Sequence, residues 1–317
     1  MSASSHGSHR VFSFGTLLDE KVQQHLFSRT VVPSPDSLSG YELTEVVIED
    51  AAVIAASGLD VHRGLTRRLG GAVDGGVLEL TDAELARADA YEVSDYTRRR
   101  VQTSRGGAAW AYVDARPLAS AERIAVVGDS LASGLTDPNT GWFSLLAGAH
   151  IRRDETHHRF FDLTVPGATI GNVVDSQLAD AFRRSPDTVI VTTGFNGLSW
   201  SAASTPTSVT ETISLVNQVA DTIESSGARP VVIGPHWHDE QRVRAELGID
   251  LPSSSVIGID RELMAWSTRT YRDYICVRDV LRDRSDLLSV GLHPTAEGHA
   301  LLARRLFTTI AADVPVA

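Results

Sequence analysis

The chain has one cysteine among 317 residues, so no internal disulfide can form. That residue, Cys276, lies in the apolar run Tyr274-Ile275-Cys276-Val277, where a buried, inert thiol is the expected role. Long apolar runs are also missing: none approaches the roughly 18 residues a membrane helix needs. The first ten residues are polar and small, and the apolar stretch behind them is broken by Asp19, Glu20 and Lys21, so a signal-peptide core is absent. Residues 1–9 read as a disordered leader, and these features together point to the cytoplasm. A basic excess is lacking too. With 29 Lys and Arg against 40 Asp and Glu, the net charge of −11 argues against a nucleic-acid or anionic-membrane partner. The local runs Arg67-Arg68 and Arg98-Arg99-Arg100 are expected to be solvated faces.

What the chain does have is length for two domains, about twice the usual size of one. A seam falls at Asp114 to Ala121, where a strand-like run ends, Pro117 follows and a new apolar strand begins at Ile124. This sets the expected domains at 10–118 and 122–317. Before the seam, short strand candidates dominate: 10–14, 45–55, 76–80 and 108–113. Thr81 with Glu84 three residues later reads as a capping box opening a helix whose Leu85 and Ala88 face a core. This mixture suggests a small α+β barrel domain. After the seam, continuous apolar strands at 124–127, 161–164, 188–191 and 230–233 alternate with helix-length segments such as 208–225 and 296–310. Continuous runs imply burial on both faces, hence an α/β domain with a parallel sheet between helices. Ligands in such sheets sit at the carboxyl ends of the strands.

Candidate chemistry collects at those strand ends. The first strand runs into Gly128-Asp129-Ser130-Leu131, which places a hydroxyl there, although Ala132 departs from a G-x-S-x-G elbow. Gly167 follows the second strand, and its backbone N–H is open to a ligand because no side chain intervenes. Gly194-Phe195-Asn196 follows the third and supplies an amide donor. Gly291-Leu292-His293-Pro294 precedes the last helix with an imidazole able to accept the serine proton.

These four segments, in this order over 123–310, resemble the SGNH/GDSL hydrolase family. The resemblance implies a three-layer α/β/α fold, Ser130 as nucleophile and His293 as general base. The N–H groups of Ser130 and Gly167 and the Asn196 amide would form the oxyanion hole, where losing one donor typically costs about 10²–10³ in rate. In the family an aspartate three residues before the histidine orients it. Here that position is Val290, which cannot accept a hydrogen bond. A Ser–His dyad, an acid relocated to Asp286 or Asp283 (or a backbone carbonyl in its place) and a weakened enzyme all remain open. Gly197 stands where a further aspartate is common. The pair His236 and His238 could suggest a metal site, but the segment around Trp237 is read as a loop lining the pocket. His157-His158 reads as a solvated turn, and no metal or cofactor is expected.

In the front domain, Phe12-Ser13-Phe14-Gly15-Thr16-Leu17 delivers a glycine turn with exposed backbone donors, and Asp89-Ala90-Tyr91-Glu92 ends the helix with a carboxylate beside aromatics. Such a carboxylate can have a raised pKa and serve as an acid or base. With the closing strand at 109–113, these segments resemble the gamma-glutamylcyclotransferase-like family over 10–116. The resemblance implies that Gly15, Thr16 and Leu17 cradle a gamma-glutamyl group while Glu92 moves protons as 5-oxoproline is released. Phe14 stands where tyrosine is usual. The expected function is therefore a serine esterase or deacylase acting on a small acylated molecule, fused to a gamma-glutamylcyclotransferase-like domain. The alternatives are a front domain that only binds substrate or oligomerises, and two non-catalytic binding modules; the sequence sets no oligomeric state.

Overall fold

The structure is a computed structural model that describes residues 8–47, 61–131, 141–192, 195–198 and 207–310. Most of the expected leader, the later part of the expected strand 45–55, Ala132 and Gly194 lie outside the described residues. The chain divides into two units, Met1–Arg116 and Pro117–Ala317.

The first unit is a curled, mainly antiparallel sheet. Its elements are β1 (Ser8–Ser13), α1 (Glu20–Phe27), β2 (Ser34–Val47), β3 (Val61–Thr81), α2 (Asp82–Tyr91), β4 (Tyr96–Thr103) and β5 (Gly107–Asp114). The strand order is β2-β3-β1-β5-β4, with β1 and β5 the parallel pair. Period-two alternation separates two cores. Phe12, Val77 and Ala111 face one side, while Val11, Leu78 and Tyr112 face the other with Leu85 and Ala88 of α2. The Thr81–Glu84 capping box opens α2, and Glu84 also binds Arg29 through both carboxylate oxygens. Two expectations change. Ser8 and His9 pair with Thr81 and Leu80, so β1 begins inside the expected leader. Arg98 is buried at 6% exposure, lying 2.9 Å from Asp89 and stacked on Trp110, rather than solvated.

The second unit is a five-stranded parallel sheet between helices. Its strands are β6 (Arg123–Val127), β7 (Arg159–Asp162), β8 (Thr188–Thr192), β9 (Arg229–Ile233) and β10 (Asp273–Ile275), in the order β10-β9-β8-β6-β7. The helices are α3 (Trp142–Arg153), α4 (170–182), α5 (Val209–Ser225), α6 (240–247), α7 (Ser253–Thr270) and α8 (Ala296–Phe307). Alternate strand residues enter opposite cores. Ala125, Val127, Val189 and Val191 meet α4, α5 and α7, whereas Ile124, Val126 and Ile190 meet α3 and α8. Burial on both faces explains why the strands read as continuous apolar runs. The sheet order reverses between β6 and β8, which opens a crevice beyond their carboxyl ends. A two-stranded hairpin, β11 (Leu288–Ser289) and β12 (His293–Pro294), precedes α8.

Candidate active site

Ser130 follows β6 at that crevice. The turn before it needs glycine: Gly128 has φ +130°, and a Cβ there would lie 1.8 Å from Thr192 Oγ1. The buried Gln177 side chain secures the same residue, accepting from Gly128 N–H at 2.7 Å and donating to its carbonyl at 3.0 Å. Asp129 N–H donates to Thr192 Oγ1 at 3.3 Å, and Asp129 Oδ1 accepts from Leu131 N–H at 3.1 Å. The serine is 8% exposed, held on a loop whose polar groups bond to β8 and α4.

His293 is brought to it by the hairpin. Ser130 Oγ and His293 Nε2 are 3.4 Å apart although 163 residues separate them in sequence. Among the described residues this is the hydrogen bond the imidazole makes. Burial alone lowers the His293 pKa, and no carboxylate contributes to the shift. Of the two expected replacement acids, Asp286 is exposed and ion-paired with Arg284 at 2.7 Å, and Asp283 is exposed and lines an open cleft with Trp237 and His238. Val290 itself adopts φ +48°, followed by Gly291 at +74°. With Leu292 N–H donating to Ser289 O at 3.0 Å, the two residues form a tight turn of the type that joins hairpin strands. A β-branched residue in the left-handed region is strained.

Asn196 and Gly167 also converge. Gly167 follows Pro166 with φ +82°, and Ala168 N–H donates to Val165 O at 3.0 Å, the arrangement of a type II turn. Asn196 Nδ2 donates to Ala168 O and to Asp129 Oδ2, both at 3.1 Å. The amide is thus anchored to the glycine turn and to the serine loop. Desolvation pushes the Asp129 carboxyl up to about 7.

Two further histidines, His236 and His299, lie close enough to influence His293 electrostatically. His236 is 3% exposed; its Nδ1 lies 2.6 Å from Trp237 O, which assigns the proton there, and Phe195 meets its ring edge-on at 5.2 Å. His299 Nδ1 accepts from Trp142 N–H at 3.2 Å. Burial lowers their pKa values to about 3 and about 4. Among the described residues no group of three or more His, Cys, Asp or Glu is placed to hold a metal ion. Trp237 and His238 instead line an open cleft of about 350 Å³ with Ile257, Arg278, Arg282 and Asp283. His158, expected in a solvated turn, stacks on buried His150 with ring centroids 4.2 Å apart.

In the first unit, Tyr91 at the end of α2 donates to Thr16 Oγ1 at 3.3 Å, which ties the glycine turn to the segment carrying Glu92. Gly15 has open space where a Cβ would lie, and Leu17 is buried in the core. Desolvation, reinforced by Asp89, pushes the Glu92 carboxyl up to about 7. Asp89 accepts from Tyr112 Oη at 2.8 Å and pairs with Arg98, so the neighbouring negative charge is fixed by its own partners.

A parallel sheet with serine and histidine meeting at its carboxyl edge defines a hydrolase-type α/β unit. The chain belongs to the GDSL-like lipase/acylhydrolase family, whose profile matches residues 126–301. Residues 11–128 match the profile of gamma-glutamyl cyclotransferase, AIG2-like. Among solved structures, a lipase/acylhydrolase from Enterococcus faecalis is 18% identical with a TM-score of 0.50, covering 59% of this chain and 95% of its own. The acetyl xylan esterase AlAXEase is 15% identical with a TM-score of 0.51, covering 60% of this chain and 100% of its own. These likenesses show the fold of the second unit. The comparison with curated proteins found no match.

The sequence reading missed two features of the site. Asp129 as the partner of Asn196 had a signal, since it adjoins the serine. The contacts of α6 with the histidine hairpin had none, because they join groups far apart in sequence and their acceptors are mostly main-chain carbonyls.

Proposed function

We propose that the second unit is a serine esterase or deacylase acting on a small acylated molecule, with Ser130 as nucleophile and His293 as general base. The observation that carries this reading is the 3.4 Å approach of Ser130 Oγ to His293 Nε2 at the carboxyl edge of the sheet. In the neutral tautomer with the proton on Nδ1, Nε2 is free to take the hydroxyl proton as Oγ attacks the acyl carbon. The lowered imidazole pKa keeps the base unprotonated at neutral pH. Backbone N–H groups of Ser130 and Gly167 with the Asn196 amide would then hold the oxyanion. Because the amide already serves Asp129 and Ala168, it must share or reorient a hydrogen when that charge develops. The imidazolium gives that proton to the departing alcohol or amine; in the second half-reaction neutral His293 takes a proton from the water that attacks the acyl-enzyme and passes it to Ser130 Oγ as the acid leaves. Hydrolysis of short p-nitrophenyl esters by the full chain tests this: Ser130→Ala should lower kcat by at least about 10³. Equal rates would remove Ser130 from the mechanism.

A second activity is favoured by a specific observation: Tyr91 donates to Thr16 Oγ1 at 3.3 Å, which ties the glycine turn to the segment carrying Glu92, whose carboxyl is pushed up to about 7 by burial. In this reading the turn binds a gamma-glutamyl group, Glu92 accepts a proton from its alpha-amine as that nitrogen attacks the gamma-carbonyl, and Glu92 returns the proton to the departing amine as the gamma-amide bond breaks and 5-oxoproline is released. Release of 5-oxoproline from gamma-glutamyl amines should fall by about 10²–10⁴ in Glu92→Gln. No release from the unaltered chain would leave the first unit as a binding module. The single, half-buried Cys276 fits a reducing, cytoplasmic location.

A further inference from the structure

The base of this site stands on a hairpin that lacks the usual carboxylate, and its turn contains a strained valine. Strain of this kind persists only where the surroundings over-determine the backbone. Those surroundings are the first turn of α6. Asp239 N–H donates to Gly291 O at 2.8 Å, and Asp239 Oδ2 accepts from Ser285 Oγ at 2.6 Å. Arg242 reaches across with one Nη, donating to Ser285 O at 2.8 Å and to Leu288 O at 3.1 Å, with Ser285 Oγ also 3.1 Å away. Its Nε is held by Glu246 at 2.7 Å, so the guanidinium is fixed from both sides. Contact is close enough that a Cβ on Gly291 would lie 2.7 Å from the Arg242 Cβ.

We propose that Arg242 is a positioning residue for His293: by holding the Ser285 and Leu288 carbonyls it fixes the hairpin and so aims the imidazole at Ser130, a task that a carboxylate at position 290 would otherwise share. The proposal rests on the Ser130–His293 reading of the site. A planar guanidinium with several N–H donors suits this role, whereas a lysine would supply a point charge without the fork. The geometry locates the constraint in the backbone beneath the histidine, while the triad arrangement places it on the ring nitrogen. Either one limits how far Nε2 wanders from Oγ, and misplacement by about 1 Å can cost about 10² in rate.

The test uses the full chain and p-nitrophenyl acetate. Arg242→Gln should lower kcat about tenfold with KM changed less than about twofold, and adding Val290→Asp should recover most of the loss through a new acceptor for Nδ1–H. A role confined to folding would lower the melting temperature and the active fraction without that recovery. An unchanged kcat in Arg242→Gln, or a loss that Val290→Asp leaves in place, overturns the proposal. Nitrogen NMR of the His293 ring supplies a readout independent of turnover. A single tautomer in the unaltered chain and averaged tautomers in Arg242→Gln support the positioning role, and identical spectra contradict it. If Ser130→Ala leaves hydrolysis unchanged, the Ser–His reading fails by itself, and the ring spectra alone decide on Arg242.

Discussion

At the scale of single residues, position 290 bears on both the proposed chemistry and the stability of the hairpin. A valine there denies His293 its usual acceptor and occupies a left-handed backbone region with φ +48°. Such strain costs on the order of 1–3 kcal/mol, and asparagine tolerates that region far better. Val290→Asn should therefore raise unfolding free energy by about 1 kcal/mol in urea titrations, allowing for lost apolar contact. A decrease would mean that valine packing outweighs the backbone strain. Asp129 presents the opposite case, a residue whose importance comes from its surroundings. Its burial at 1% exposure raises the carboxyl pKa to about 7, so its bond with Asn196 joins the amide to a group that titrates near neutrality.

At the scale of elements, the serine turn is set by a steric fact. Gly128 combines φ +130° with a Cβ position 1.8 Å from Thr192 Oγ1 and 2.7 Å from its carbonyl. Gly128→Ala should cost more than about 3 kcal/mol and lower turnover together with the melting temperature. A folded, fully active variant would show that the end of β6 can move away from β8. Much of this architecture was legible in the sequence because its causes are local or periodic. Continuous apolar runs located β6, β8 and β9, and the Thr81–Glu84 capping box located the start of α2. Legibility fell where nonlocal pairing decides the structure. Only 76–80 of the 21-residue strand β3 was expected, because its remainder is polar and glycine-bearing and is organised by a ladder to β2. α7 opens on the serine run 253–255, which carries no apolar period of its own; Pro252 takes the N-cap position and the apolar face lies further on. The four candidate residues of the second unit were proposed from three strand ends and the segment before the last helix, whereas the clamp formed by Asp239 and Arg242 carries no such signal, since its acceptors are mainly main-chain carbonyls.

At the scale of the whole molecule, buried neutral histidines make stability depend on pH. Desolvation lowers His150 to about 4, His236 to about 3 and His299 to about 4, all below the ordinary value near 6.5. For a base with a depressed folded-state pKa, the unfolded chain binds more protons between the two values. The stabilisation from keeping these rings neutral is therefore complete above about pH 6.5 and declines as pH falls toward about 4. Each ring contributes a slope of up to about 1.4 kcal/mol per pH unit within that window. Asp129 and Glu92, raised to about 7, act in the opposite sense, because the folded chain binds their protons first and gains stability as pH falls; with three rings against two carboxyls, urea midpoints measured from pH 6.5 to 4.5 should fall on balance, and His150→Asn should flatten part of the slope. A midpoint independent of pH over this range would contradict neutral burial.

The central claim is that Ser130 is an activated nucleophile, and covalent labelling tests it most directly. A fluorophosphonate reacts with a serine hydroxyl only when a base removes its proton, displacing fluoride and leaving a phosphonyl ester detectable by intact mass. The account predicts a single adduct on the full chain, mapped to Ser130 by peptide analysis and lost in both Ser130→Ala and His293→Ala. An unlabelled chain, or an adduct that persists in Ser130→Ala, would contradict it.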